Sequence, residues 1–247
     1  MKNNLNILLI TFVFLFSTCS EKPIDEESQN TRFSVLKYDA EISETLTLNV
    51  SEIELSSAKE VFYWSKDFQN PQNNIGHIST SANFNKKQKI VSGKSEPLNL
   101  IQPVFFENNL CYLISDGFIE CLNAETQKST FKIDIKKDGV KKYEFIRGGL
   151  SYFDGKLIFV DGYGQVIAIN SGSGEIIWQN SLPFPILSSP LIYRGFVYFI
   201  SADNRLFAFD FETGENSWSY QTIVESKKSI YTASPVAFEN IVIAPFS

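Results

Sequence analysis

The sequence of 247 residues is 43% hydrophobic, which is the content of a globular protein and enough to bury one large core or two modest ones. Its 22 Phe and 10 Tyr against a single Met favour strands over helices. The net charge is −6, with Lys and Arg scattered apart from short runs such as Lys136 to Lys142, and this speaks against a nucleic-acid partner.

Residues 1–18 read as an export signal. Lys2 supplies the positive start, and Leu5 to Phe16 is an apolar run of twelve residues, too short to span a bilayer as a helix. Ser17 and Thr18 then lead to Cys19, a cysteine standing where a small-residue cleavage site belongs. The stretch Leu15 to Cys19 resembles a bacterial lipoprotein signal, which implies cleavage before Cys19, a lipid on its sulfur and, with Ser20 following, an outer-membrane address. Thr18 and Phe16 depart from the usual pattern, and an ordinary secretory signal is the other reading; both place the mature chain outside the cytoplasm. Residues 19–32 are polar and acidic, with almost nothing to bury, and read as a lipid anchor and flexible tether. Residues 33–100 form an approach to the domain with a possible ring-closing strand: Ile42 to Val50 alternates with period two, Tyr63 to His77 is a loop rich in Asn, Gln and Pro, and Lys87 to Lys94 is a further candidate strand.

From Ile101 onward one unit recurs. Gln165 to Trp178 is answered by Arg205 to Trp218, with Ala168 and Ala208, Asn170 and Asp210, Gly174 and Gly214, and Trp178 and Trp218 each separated by 40 residues. A period near 40 with four short apolar runs per unit, tight turns between them and no helical period predicts four-stranded antiparallel blades of a β-propeller. The first unit is a weaker copy, with Asn123, Gln127 and Phe131 in these places and an extra seven residues before the second, within 134–145. A fourth unit opens at Ser234. Three and a half blades over 101–247 leave a ring open, so about half of a ring is expected to lie outside this sequence.

Turn chemistry accounts for the recurrent residues. Asn123, Asn170 and Asp210 close the third strand, where a short polar side chain bonds backbone two residues on. Gly174 and Gly214 supply positive φ, and Phe131, Trp178 and Trp218 are inter-blade packing. Cys111 and Cys121 flank a hairpin turn at Ser115 to Gly117 that sets them across from each other. In an oxidising compartment they can join, but their apolar runs favour two small buried side chains.

These units, with the pattern Ala-x-Asp/Asn-x-x-Thr/Ser-Gly-x-x-x-Trp, resemble the repeat of quinoprotein (PQQ-type) propellers, and within them the BamB family of outer-membrane assembly lipoproteins. The lipoprotein-like start, the Trp64 to His77 segment and Gly148 to Ser151 carry the narrower likeness. The resemblance implies an eight-bladed ring that acts as a non-enzymatic periplasmic scaffold without cofactor, lipid-anchored at Cys19 to the outer membrane. It further implies binding to a BamA-like protein through its POTRA domains and help in inserting outer-membrane proteins. The loop before the fourth blade is part of that contact in the family and maps here to Thr222 to Ala233. The family's Leu-x-Leu-Arg-Gly is replaced by Lys227, Lys228, Ser229, Ile230 and Tyr231, which either remake the contact or form a solvated connector. One alternative is a periplasmic propeller binding another ligand or protein. A PQQ-dependent dehydrogenase fragment is the other, against which stands the lack of adjacent cysteines and of an acidic cluster for Ca²⁺.

His77 is the sole histidine, so a multi-histidine metal site or a Ser/His/Asp triad within this chain would rest on it alone; no metal is expected. Gly162 and Gly164 precede no helix and read as a hairpin turn, not a phosphate loop. With the repeated residues spent on building blades, function is expected in the loops at 134–147, 181–188 and 221–233.

Overall fold

The structure, a computed structural model, describes residues 55–79, 101–114, 117–137, 139, 147–222 and 233–246. The expected signal, Cys19, the tether, both candidate strands at 42–50 and 87–94, and the loop residues 227–231 lie outside the described residues.

The chain folds as the expected all-β propeller. β1 (Val104–Phe106), β2 (Asn109–Ile114), β3 (Phe118–Asn123) and β4 (Ser129–Asp134) form the first antiparallel sheet in sequential order. β5 (Gly148–Phe153), β6 (Lys156–Asp161), β7 (Gln165–Asn170) and β8 (Ile176–Ser181) form the second. β9 (Leu191–Tyr193), β10 (Phe196–Ile200), β11 (Arg205–Asp210) and β12 (Asn216–Gln221) form the third, and β13 (Val236–Phe238) pairs with β14 (Ile241–Ile243) in the fourth. The first strands β1, β5, β9 and β13 neighbour one another from sheet to sheet, so they are the innermost.

Strand alternation explains why the sheets stack. On β6 and β7, Leu157, Phe159, Ile167 and Ile169 face blade 1, while Ile158, Val160, Val166 and Ala168 face blade 3. On β10 and β11 the same division sends Val197, Phe199, Phe207 and Phe209 towards blade 2, and Tyr198, Ile200, Leu206 and Ala208 towards blade 4. A slip of one residue would exchange the two interfaces wholesale, so the register is strongly specified.

Cys111 and Cys121 are joined in a disulfide, which corrects the preference for separate thiols. They are direct partners in the β2–β3 register and wholly buried. The corresponding cross-strand pairs are Ile158 with Ala168 in blade 2 and Tyr198 with Ala208 in blade 3. Both sulfurs thus face blade 2 from a position where every blade brings two side chains together. Replacing both cysteines with alanine is expected to lower stability by about 2–3 kcal/mol, the loop-closure value for a short covalent ring. A urea midpoint unmoved by the double replacement would show that the bond contributes nothing.

Candidate functional site

The turn between the third and fourth strands is built the same way in three blades. Asn123 Oδ1 accepts from the N–H of Glu125 and Thr126, at 3.1 and 2.9 Å. Asn170 Oδ1 accepts from Gly172 and Ser173, and Asp210 Oδ1 from Glu212 and Thr213. One further bond ties each turn to the first hairpin of its own blade: Ala124 N–H to Asn108 O, Ser171 N–H to Gly155 O and Phe211 N–H to Gly195 O.

These bonds have an electrostatic consequence only at Asp210. The Thr213 N–H, opposed by desolvation but helped by the Glu212 N–H, the Thr213 hydroxyl and the charge of Lys156, holds its carboxyl below the usual carboxylate range. A folded value below the unfolded one means that the ionised form stabilises the fold above the unfolded value and that this is lost as pH falls through the folded one. Asp210→Asn keeps the turn geometry of Asn123 and Asn170 but has no proton to gain. The stability difference between parent and variant should therefore shrink as pH falls below about 4, the unfolded value; a difference constant from neutral to acid pH would refute this.

The glycine in the turn has a second duty. Gly174 and Gly214 have φ of 78° and 74°, and Gln127 adopts 59° in the first blade. A Cβ on Gly214 would lie 2.5 Å from the Trp178 ring, and one on Gly174 would lie 2.6 Å from the Phe131 ring. The aromatics of blades 1 and 2 are thus seated on the glycines of blades 2 and 3. Trp178 also donates from Nε1 to Phe211 O at 3.1 Å and is 9% exposed. Trp218, facing the described part of blade 4, which holds only β13 and β14, is 42% exposed.

At the inner edge, the segment read as a loop from Tyr63 to His77 reaches all four blades. Trp64 exchanges backbone bonds with Phe105 of β1, Ser65 O accepts from Tyr152 N–H of β5, and Pro71 O accepts from Ala237 N–H of β13. Asp67 Oδ2 accepts from the Ser189 hydroxyl just ahead of β9, with Gly148 O 3.1 Å from the same oxygen. Gly149 makes room for this contact, since a Cβ there would meet Ser189 Oγ at 2.2 Å. Lys66, 3% exposed, donates to Asn73 Oδ1. Burial brings its ammonium down to about 8, opposed by the Asp67 charge. Burial likewise pushes the Asp67 carboxyl up, opposed by the Ser189 bond and Lys66.

Neither Lys66 nor Asp67 is marked by periodicity or motif, and Ser189 is visible only as the residue that opens the third unit, as Ser234 opens the fourth. Their partners are up to 122 residues distant in sequence, so only the Asn, Gln and Pro content of the segment is visible beforehand. His77 is exposed, with Nδ1 2.8 Å from Ser56 O. Of the loops in which function is expected, 181–188 is tied down: Leu182 N–H donates to Gly164 O, Ile186 N–H to Asp161 O and Leu187 N–H to Ile200 O.

A family model described as outer membrane protein assembly factor BamB matches residues 115–247. A BamB of Nitrosomonas eutropha is 26% identical over 121 residues, covering 49% of this chain and 28% of that relative. An uncharacterized protein of Rickettsia prowazekii is 24% identical over 168 residues, covering 68% of this chain and 40% of its own length. The chain therefore spans well under two thirds of these relatives. Among solved structures, BamB from Moraxella catarrhalis superposes with a TM-score of 0.52 at 19% identity, over 62% of this chain and 44% of that one. The quinohemoprotein alcohol dehydrogenase of Comamonas testosteroni gives 0.53 at 16% identity, over 66% and 28%. At these identities the two superpositions share a fold and no more, while the family model covers more than half of the sequence. The chain belongs to the family of the outer membrane protein assembly factor BamB.

Proposed function

We propose that the chain is a non-enzymatic scaffold of the outer-membrane β-barrel assembly machinery, held at the periplasmic face of the outer membrane by a lipid on Cys19. In this reading it binds a BamA-like protein through its POTRA domains and aids insertion of outer-membrane proteins. The observation that carries the reading is the family match over 115–247. The site geometry supports it, because the residues that recur from blade to blade are occupied in turns and inter-blade seats. The alcohol dehydrogenase superposition concerns the fold alone.

The partner contact is assigned to the loop before β13, through Lys227, Lys228, Ser229, Ile230 and Tyr231. Its chemistry is two cations beside an aromatic and an aliphatic side chain, a combination suited to an acidic surface with an apolar centre. The test is crosslinking of the tagged protein in intact envelopes followed by identification of what is recovered. The expected result is a BamA-like protein, with recovery reduced by Lys227→Glu together with Tyr231→Ala. Failure to recover any such protein with the parent chain would sink the assembly role.

A further inference from the structure

A hollow of about 530 Å³ lies between the inner edges of blades 2 and 3 and the central segment. Ile192 and Lys66 are buried in its wall, and the exposed Phe153 and Arg194 mark its mouth. Tyr152 and Tyr193 add two aromatic side chains. No acidic side chain lines it.

The polar groups divide sharply. The Tyr152 hydroxyl donates to Glu107 Oε1 at 2.9 Å and the Tyr193 hydroxyl to Glu239 O at 3.0 Å. The Ser151 hydroxyl donates to Pro190 O, and the Ser65 hydroxyl to Gln69 O at 3.2 Å. Every hydroxyl proton around the hollow is therefore committed to the fold. The donors in excess are the two cations. Lys66 gives one bond to Asn73 and has three N–H groups, while Arg194 gives one to Asn240 and has five. A desolvated ammonium and a guanidinium against an otherwise apolar wall complement a negative charge on an apolar body.

We propose that this hollow is a binding site for a small organic anion, a carboxylate carried on an aromatic or branched aliphatic body. The carboxylate meets Lys66 and Arg194, and the body lies against Ile192, Phe153 and the tyrosine rings. Charge and shape select together: a neutral analogue leaves the desolvated ammonium with the neighbouring Asp67 as its counter-charge and adds none at the hollow, and an inorganic anion leaves the apolar wall unfilled.

The experiment measures binding of 3-phenylpropionate, 3-phenylpropan-1-ol and inorganic phosphate to the purified chain by calorimetry and by shifts of the Ile192 methyl resonances. The expected result is saturable binding of the acid, with the alcohol about tenfold weaker and phosphate without measurable effect. Arg194→Gln should weaken the acid by a similar factor, and because that side chain is exposed, its unchanged melting transition will show that the fold is intact. Lys66 offers a readout without substitution, since its ammonium should titrate above its free value of about 8 when the acid is bound. Equal affinity for acid and alcohol would overturn the proposal, as would phosphate competing as strongly as the acid, or no saturable binding of the acid. Unchanged affinity in Arg194→Gln together with an unmoved Lys66 would also overturn it.

Discussion

Gly214→Ala should destabilise the protein by about 3–4 kcal/mol, while Gly155→Ala costs about 1–2 kcal/mol. The two glycines share a backbone conformation, with φ of 74° and 75°, so the strain of placing a Cβ in the left-handed region is common to both. They differ in what the new carbon meets. At Gly155 nothing lies within 4 Å, whereas at Gly214 the carbon would stand 2.5 Å from Cδ2 and 2.6 Å from Cε3 of Trp178. An indole whose residue pairs across the strands with Ala168 and whose edge is held by the bond from Nε1 to Phe211 O has little freedom to withdraw. The excess of the first substitution over the second isolates the inter-blade seat. Equal losses in urea unfolding of the two variants would show that backbone strain alone fixes glycine at this turn.

How much of this was legible beforehand follows from where each interaction reaches. The blade is written in local terms: alternation sets two faces, a short polar residue closes the turn, and glycine four residues later carries positive φ. Asn170, Gly174 and Trp178 could therefore be given their places from one stretch of chain. What such a stretch does not contain is the neighbour. That Gly214 belongs under Trp178, one blade back, follows only once the sheets are stacked.

The cysteines show a different obstacle. Cys121 occupies the place of Ala168 and Ala208, and that alignment favours a small buried residue. The hairpin spacing pointed to direct opposition, and opposition decided the outcome. The segment from Trp64 to Pro71 was the least legible of all. Its backbone is irregular, and its bonds go to Phe105, Tyr152 and Ala237, which lie on three different strands. Lys66 and Asp67, two charges desolvated by burial, were consequently not among the residues singled out from sequence.

Trp178→Ala should lower stability by about 3–5 kcal/mol, and Trp218→Ala by only about 1–2 kcal/mol. Both side chains close the same pattern, lie opposite an alanine and follow a β-bulge at the same point of the strand pair. Sequence gives no reason to distinguish them. Trp178 is 9% exposed, seated on Gly214, and belongs to the core between blades 2 and 3 with Phe209 and Phe211. Removing it empties a large volume inside a packed interface and leaves the Phe211 carbonyl without its donor. Trp218 is 42% exposed among the described residues, and its ring meets Tyr198 at a centroid distance of 5.9 Å. Its loss removes part of one contact and leaves no closed cavity. The comparison, made by urea unfolding of both variants, tests whether the indole acts through its seat on the following blade. Similar losses at the two positions would mean that the tryptophan stabilises its own sheet, and that the stacking of aromatic on glycine between blades is a consequence of packing and not a source of it.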